Sequence, residues 1–539
     1  MLDVQTLRAA DFVAKRLYEA GCRFAFGMPG GEVLTLVDAL EKAGIRFILC
    51  KHENNAGFMA EGVMHRTGAP AILVGTVGPG VVNGYNVVAN AYQDRVPMIV
   101  LTGCVDADEA QMYTHQVMDH QAAFGEVTKA TFRLSAKAAD VIADKAVAIA
   151  TQGRSGPVLI DVPISTADEV VSLPIRRRVP ASPAAPTGAD MDKARAWLAK
   201  AERPVMLIGL DAIADDAGAE IRQFCETFGV PFITTYKAKG IVPETHELCL
   251  GGGGLSPKAD KILLPFIQSA DLILCAGYDP IEMRIGWQEI WDPEEVNVID
   301  IAAEPNTHYM HQAALNFVAH TGETLKTLAE GVQPRATWRS GEAAAARQAL
   351  AAAFPADGEW GPAAVIDEVR RAMPETTLAS ADSGAHRILL SQQWSCHEPR
   401  GLIQSSALCT MGCAIPMAIG LKLAAPDRPV VSFSGDAGAL MVLGELSTAQ
   451  ELGGNPVFII FVDACLSLIE LKQRSRQMTR AGVDFGRHDF AAIGRAFGGE
   501  GHTVTSRKEL QAALEQAKSA ETFTVIAAVI AEHAYDGLL

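Results

Sequence analysis

Short unbroken runs of apolar residues recur along this chain, separated by longer stretches in which apolar positions return at helical intervals. Val430–Phe433 and Val457–Val462 are two such runs, with a helix-like segment between them. Ile48–Gly62 repeats the pattern as an apolar strand, a polar strand end at Lys51-His52-Glu53, and a helix with small residues. Runs near Pro204–Gly209, Pro231–Thr235 and Asp271–Gly277 predict a further set of strands. Strands that are apolar throughout belong to sheets covered on both faces, and strands alternating with helices predict an α/β fold with parallel sheets. The opening residues, MLDVQTLRAADFVAKRL, predict an amphipathic helix. Gly251–Ser256 (GGGGLS) reads as a flexible loop, because it lacks a G-x-G-x-x-G between strand and helix.

A chain of 539 residues is long enough for about three domains. Leu173–Gly188 is rich in Pro, Ala and Arg and reads as a linker, and a second low-complexity stretch runs near Gly331–Ala353. The expected organisation is an N-terminal domain over 1–172, a linker over 173–188, a central α/β domain over 189–335, a linker over 336–360 and a C-terminal domain over 361–539.

Composition narrows the function. A net charge of −17 disfavours nucleic acid or an anionic membrane as a partner. No uncharged apolar run reaches transmembrane length, and the opening residues lack the basic and apolar regions of a signal peptide. Ten scattered cysteines, with Cys409 and Cys413 the closest pair and no second pair to complete a zinc site, predict reduced thiols and a cytoplasmic location.

Candidate chemistry begins at the strand ends. Asp436 and Asp463 each follow an apolar run and lie 27 positions apart. Carboxyl ends of parallel strands form the crevices where α/β sheets bind ligands. Two carboxylates beside a glycine-bearing turn suit a hard divalent ion completed by a ligand's phosphate oxygens. An ordinary βαβ crossover with polar strand ends is the plainer reading of this stretch alone.

The set of motifs resembles the thiamine diphosphate enzymes of the acetolactate synthase, benzoylformate decarboxylase and pyruvate oxidase family. Gly435-Asp436-Ala437-Gly438 is similar to that family's metal–diphosphate turn, with Ala437 in place of a glycine, and Val462-Asp463 stands where an Asn pair is usual. Lys51-His52-Glu53 resembles the strand end whose glutamate contacts pyrimidine N1′. FGMPGG (Phe26–Gly31), GTVGPGVVNG (Gly75–Gly84), RVPMIVLTG (Arg95–Gly103) and GPVLIDVP (Gly156–Pro163) follow the pyrimidine-binding domain in order. DSGAH (Asp382–His386) and TMGCAIPMAIG (Thr410–Gly420) follow the diphosphate-binding domain. The resemblance implies first and third domains of similar fold, thiamine diphosphate and Mg²⁺ as cofactors, and a homodimer or homotetramer with sites between subunits. It implies cofactor contacts at Glu53, Ser383, Gly384, Ala385, His386, Cys409 (by its carbonyl), Met411, Gly435, Asp436, Ala437, Gly438, Asp463 and Leu468. Asp436, Asp463 and Cys465 would hold the metal, and Glu53 would be catalytic.

The substrate pocket is less legible. Tyr113–His120 (YTHQVMDH) lies where the synthases carry a Phe-Gln pair. One register puts Asp119-His120 on that pair, so that His120 relays protons. A looser one puts His115-Gln116 there, so that Gln116 hydrogen-bonds a substrate oxygen. A polar loop facing water is the plain alternative for both. The pocket histidine and serine of benzoylformate decarboxylases map to Val74 and Gly31 and are absent. The resemblance therefore favours a carboligase of acetolactate synthase type acting on a 2-oxo acid or related carbonyl. A non-oxidative decarboxylase, or a lyase of an acyl-CoA or 2-hydroxyketone, is the alternative. Tyr278–Trp287 (YDPIEMRIGW) departs from the flavin-site pattern of the synthases, so FAD is left open.

Overall fold

A computed structural model of the chain describes residues 4–356 and 358–539. Three six-stranded sheets, parallel throughout, carry the described residues. With each sheet's strands counted in chain order, the first (Phe24–Met28 onward) and the third (Leu378–Ala381 onward) both run 2-1-3-4-6-5. The central sheet (Pro204–Ile208 onward) runs 3-2-1-4-5-6. The first and third domains thus share one topology, as the resemblance implied. Every residue of Ala71–Gly75, Met98–Cys104, Pro157–Pro163 and Val457–Val462 is buried. Helices cover both faces of these strands, which is why their sequences show no alternation.

The first and third domains are fused through two helices, Glu53–Thr67 and Ala414–Ala424. Their crossing depends on glycine: a Cβ on Gly62 would sit 2.3 Å from the Met417 carbonyl oxygen, and one on Gly420 would sit 2.0 Å from that of Met59. One apolar cluster runs through the crossing from Phe26 and Phe58 to Met417 and Phe458. Glu445, fully buried, accepts from the Lys51 amide (3.0 Å) and from Asn55 Nδ2 (3.2 Å), so it pins the entry of the first helix to the third domain.

Three local expectations are corrected. Val4–Arg8 is a strand paired antiparallel with Val170–Pro174, and the helix starts only at Ala9. Strand pairing overrides the local helical pattern there, and it also draws Leu173 and Pro174 out of the expected linker. Cys249–Gly253 is a parallel edge strand, not a loop. Glycine is required in it because the rings of Tyr236 and Trp287 lie where side chains on Gly252 and Gly253 would project, each 2.9 Å from the added Cβ. The stretch 336–360, expected as a linker, contains the helix Glu342–Ala353. Alanine favours that helix, and buried Leu350 packs it onto Gly251.

A buried carboxyl lies within the same crossing helix. Glu61 accepts from Asn90 Nδ2 (3.1 Å) and stands 3.2 Å from His65 Nε2. Burial pushes Glu61 up to about 8 and holds His65 well below its usual value. Unfolded, Glu61 ionises near 4.5, so between that value and about 8 folding takes up a proton. Its contribution to stability is complete below the lower value and is lost as pH rises toward the upper one. Glu61→Gln should therefore flatten the fall in urea midpoint between about pH 5 and about pH 8. Identical pH dependence in the two proteins would remove this role.

Candidate active site

In the third domain the chain reverses direction across the sheet between Leu378–Ala381 and Val430–Gly435, and ligand crevices open at such a switch point. Asp382–Ser383 and Asp436 follow these two strands, and Asp463 follows the next. One cavity collects them. Of the residues assigned to the cofactor, all but Glu53 and Cys409 line it, from Ser383–His386 and Met411 through Gly435–Gly438 to Asp463 and Leu468.

Asp436 opens the helix Asp436–Leu440, where its charge is favoured by the helix dipole. Its Oδ2 accepts from the amides of Ala464 (2.7 Å) and Asp463 (3.2 Å). Ala464 has φ +58°, a left-handed conformation costing a non-glycine residue roughly 1–2 kcal/mol, and both consecutive amides face the carboxylate. Ala437 lies inside the helix with no positive φ, so the turn does not need glycine there. Gly438 does have to be glycine, because a Cβ would stand 2.0 Å from Asp382 Oδ2.

Burial pushes Asp436 up to about 6, against its three backbone amide donors, and the charge of Asp463 adds to the shift. Burial raises Asp463 as well, against hydrogen bonds from the Ser467 hydroxyl and the Cys465 amide. Two acids that burial shifts toward their neutral forms in one cavity are a fitting pair for a divalent cation, which would favour the charged forms of both. No three His, Cys, Asp or Glu side chains converge as a metal site among the described residues. An ion here must therefore complete its shell from backbone oxygen, water or a bound phosphate. The Cys465 thiol, pushed up to about 11 by burial, is a protonated soft group and does not suit Mg²⁺; its carbonyl oxygen is the hard donor.

In the first domain, Glu53 heads the helix that His52 caps by accepting from the Asn54 amide. Glu53 is 4% exposed and accepts from Asn83 Nδ2 at 3.0 Å. A Cβ on Gly80 would come 3.0 Å from Glu53 Oε1, so the Gly78–Gly80 turn can lie this close to the carboxylate only without side chains.

The two pocket registers separate in space. Gln116, at φ +57°, rests on Gly78: its Cβ and Cγ lie 3.1 and 3.3 Å from the Cβ that Gly78 lacks. That places it over the turn that lies against Glu53. His120 is 1% exposed, with Nδ1 2.8 Å from Asp161 Oδ1, which also takes the Thr102 hydroxyl. Asp161 thus anchors the ring at the end of the loop that carries Gln116, while His120 Nε2 has no hydrogen-bond partner among the described residues. Cys409 stands outside the cavity lining at φ +60°, its thiol donating to the Ser406 carbonyl.

Sequence reasoning missed several residues here. Tyr535 reaches the cavity from the chain's last segment, and burial beside Asp463, Asp436 and Asp382 keeps its phenol protonated. Asp382 holds both His386 Nε2 (2.9 Å) and the Gly412 amide (2.7 Å). Asp382 could have been weighted from its place in DSGAH, whereas no sequence signal marks Tyr535.

Comparison with known proteins agrees along the chain. Residues 7–123 match the thiamine pyrophosphate enzyme N-terminal TPP binding domain, 191–328 the central domain and 382–528 the C-terminal TPP binding domain. An acetolactate synthase of Bacillus subtilis (strain 168) is 30% identical over 545 residues, covering 96% of this chain and 92% of that protein. The acetolactate synthase isozyme 1 large subunit of Escherichia coli (strain K12) is 30% identical, covering 94% and 91%. A catabolic acetolactate synthase of Raoultella terrigena is 29% identical, covering 97% and 95%.

Proposed function

Because this chain belongs to the thiamine pyrophosphate enzyme family and is a thiamine diphosphate-dependent enzyme, we propose that it is a carboligase of acetolactate synthase type. It would cleave a 2-oxo acid and join the retained fragment to a second carbonyl compound. The observation that carries this reading is the convergence of Ser383–His386, Met411, Asp436 and Asp463 on one cavity, in a chain similar to acetolactate synthases from end to end.

Thiamine diphosphate, when bound, supplies the nucleophilic carbon and the electron sink for breaking and making the C–C bond. The protein's part is binding, orientation and proton placement. Asp436, Asp463 and the Cys465 carbonyl would hold Mg²⁺ against the diphosphate. Ser383, Gly384, Ala385 and His386 would donate hydrogen bonds to its oxygens. Met411 and Leu468 supply the apolar wall, Gly435, Ala437 and Gly438 leave room for close backbone approach, and the Cys409 carbonyl would accept from the pyrimidine amino group. Glu53 holds a proton at pyrimidine N1′, and Gln116 offers an amide to a substrate oxygen.

A second copy of the chain completes the site in this reading. Glu53 does not line the cavity that holds Asp436. Val82 and Tyr85, on either side of the Asn83–Gly84 step, are exposed, as are Met112 and Tyr113 in the loop of Gln116, Met441 just after the Asp436–Leu440 helix, and Ile469 in the cavity wall. Apolar groups gathered at both half-sites support a homodimer or homotetramer closing over them. All ten cysteines are free, which supports a reducing, cytoplasmic setting. Among the described residues no helix is long and apolar enough to cross a membrane.

We infer that no flavin dinucleotide occupies the central domain. Its switch point lies between Pro204–Ile208 and Leu272–Ala276, where such a ligand would enter. The loops after these strands close on each other: the Asp211 amide donates to Gly277 O (3.0 Å), and a Cβ on Gly277 would stand 2.2 Å from the Ala212 nitrogen. The donors a pyrophosphate would use, Arg154 Nε and the Ala303 amide, already hold the buried Asp211 carboxylate. These residues do not fit FAD. The purified protein should release no flavin fluorescence on denaturation, and turnover should be unchanged by added FAD. Stoichiometric flavin would overturn this.

The function is tested by NMR product analysis of the protein with thiamine diphosphate, Mg²⁺ and labelled pyruvate, with and without aldehyde acceptors. Acetolactate or another coupled ketol is expected. Acetaldehyde alone would replace the carboligase with a simple decarboxylase.

A further inference from the structure

The central domain contributes no residue to the cofactor cavity, yet it sends one buried cation to the backbone beside it. Lys237 has a side chain 6% exposed, with Nζ 3.1 Å from Asp94 Oδ2 of the first domain. Nζ also donates to the Gln404 carbonyl of the third domain at 3.1 Å. Asp94 in turn accepts from the amides of Ser406 (3.0 Å) and Ala407 (2.7 Å). One helical turn before Asp94, Asn90 Oδ1 accepts from the Ser405 hydroxyl (2.6 Å), and Ser405 Oγ in turn accepts from the Thr410 amide (2.8 Å). Arg387 donates to the Ser405 carbonyl (2.6 Å), and Asp382 accepts from the Gly412 amide.

The segment 404–412 therefore takes much of its shape from side chains outside it. It needs them, because Cys409 at φ +60° and Gly412 at φ +76° put two left-handed residues into nine. Regular secondary structure is absent between Gln404 and Ala414, so side chains supply the hydrogen bonds that a helix or strand would. Among the described residues, Lys237 is the only cation that an ion pair joins to Asp94. Burial opposes its charge, and the facing acids, Asp94 foremost, favour it, so its pKa lies above the usual lysine value. Removing one member of such a pair leaves the other charged and uncompensated. Asp94 would then be free to move, and with it the amides it holds.

We propose that Lys237 is a positioning residue for thiamine diphosphate, acting from the central domain through Asp94 and the Gln404 carbonyl on the loop that presents the Cys409 carbonyl. This rests on the assignment of that loop to the aminopyrimidine. It explains how a domain remote from the cavity tunes cofactor binding, and it gives the central domain a part in catalysis that needs no ligand of its own.

The test is calorimetric titration of thiamine diphosphate into the full-length, Mg²⁺-saturated protein, with urea midpoints of the cofactor-free proteins measured alongside. Lys237→Met should weaken cofactor binding at least tenfold, and Lys237→Arg should recover most of it. Ser405→Ala, which perturbs the loop directly, should also weaken it. The double variant Lys237→Met/Asp94→Asn removes both members of the ion pair, so it should fold even where the single variant does not, and still bind at least tenfold more weakly. A purely structural lysine would lower the urea midpoint and leave the affinity of the folded protein unchanged. Wild-type affinity in Lys237→Met or the double variant, with Ser405→Ala weakened, would overturn the role of Lys237 and leave the loop assignment standing. Unchanged affinity in Ser405→Ala as well would overturn the loop assignment itself, and the proposal with it.

Discussion

Glu53→Gln should lower turnover by roughly 10²–10⁴-fold, the range that general acid–base groups contribute. The substitution keeps the side chain's size and an oxygen for Asn83 Nδ2, the group's recorded partner. It removes only the capacity to exchange a proton with the pyrimidine ring. The urea midpoint should stay close to wild type, because no buried group loses its hydrogen bond. Cofactor affinity should fall less than turnover, since most of the cofactor's contacts lie in the other domain. Steady-state kinetics and calorimetry on the same preparations decide this. Turnover within a few-fold of wild type would remove Glu53 from proton transfer.

Asp436→Asn should weaken thiamine diphosphate binding in Mg²⁺ by at least about a hundredfold, or about 2.7 kcal/mol. The carboxylate would neutralise the proposed ion and, through the Ala464 and Asp463 amides, it sets the backbone that presents the second acid. The cofactor-free protein should keep a urea midpoint close to wild type, because relief of the repulsion from Asp463 offsets the amide bonds given up with one carboxylate oxygen. Lost affinity with preserved stability is the signature of a binding group; a merely structural aspartate would show the reverse. The two variants together also read the subunit arrangement. In a mixture of Glu53→Gln and Asp436→Asn chains allowed to exchange, half the dimers are hybrids with one intact site if the site spans two chains. Activity should then return to about a quarter of wild type. No recovery would place Glu53 and Asp436 of one chain in one site.

Much of this was legible in the sequence, for a physical reason. Strands buried on both faces must be apolar throughout, so Val430–Phe433 and Val457–Val462 announce themselves, and the polar residues that end them mark the crevice. Glu53 also stands at a strand end, beyond Ile48–Cys50, but only the resemblance of its surrounding segment to a known family singles it out from an ordinary solvated carboxylate. Residues whose roles depend on distant chain segments were not legible. Glu445 matters because Lys51 and Asn55 dock on it, Tyr535 because the last segment folds back over the cavity, and Lys237 because three domains meet around it. None of these has a local pattern. His120 shows the converse: a histidine in a polar loop suggests chemistry, and only Asp161 and Thr102, each on a strand, reveal that it is buried and anchored. Gly251–Gly253 misled because glycine signals freedom, whereas here it makes space for two aromatic rings.

The glycine crossing of Gly62 and Gly420 has a consequence for motion. Two helices whose backbones touch cannot slide or roll past each other without collision, and one apolar cluster runs through both domains. The first and third domains of a chain must then travel as a single rigid body. Whatever opening admits substrate and releases product is left to the loop 105–119 and, in the proposed oligomer, to the seam between copies. A spin label on each of the two helices should report one unchanging distance through the whole reaction cycle.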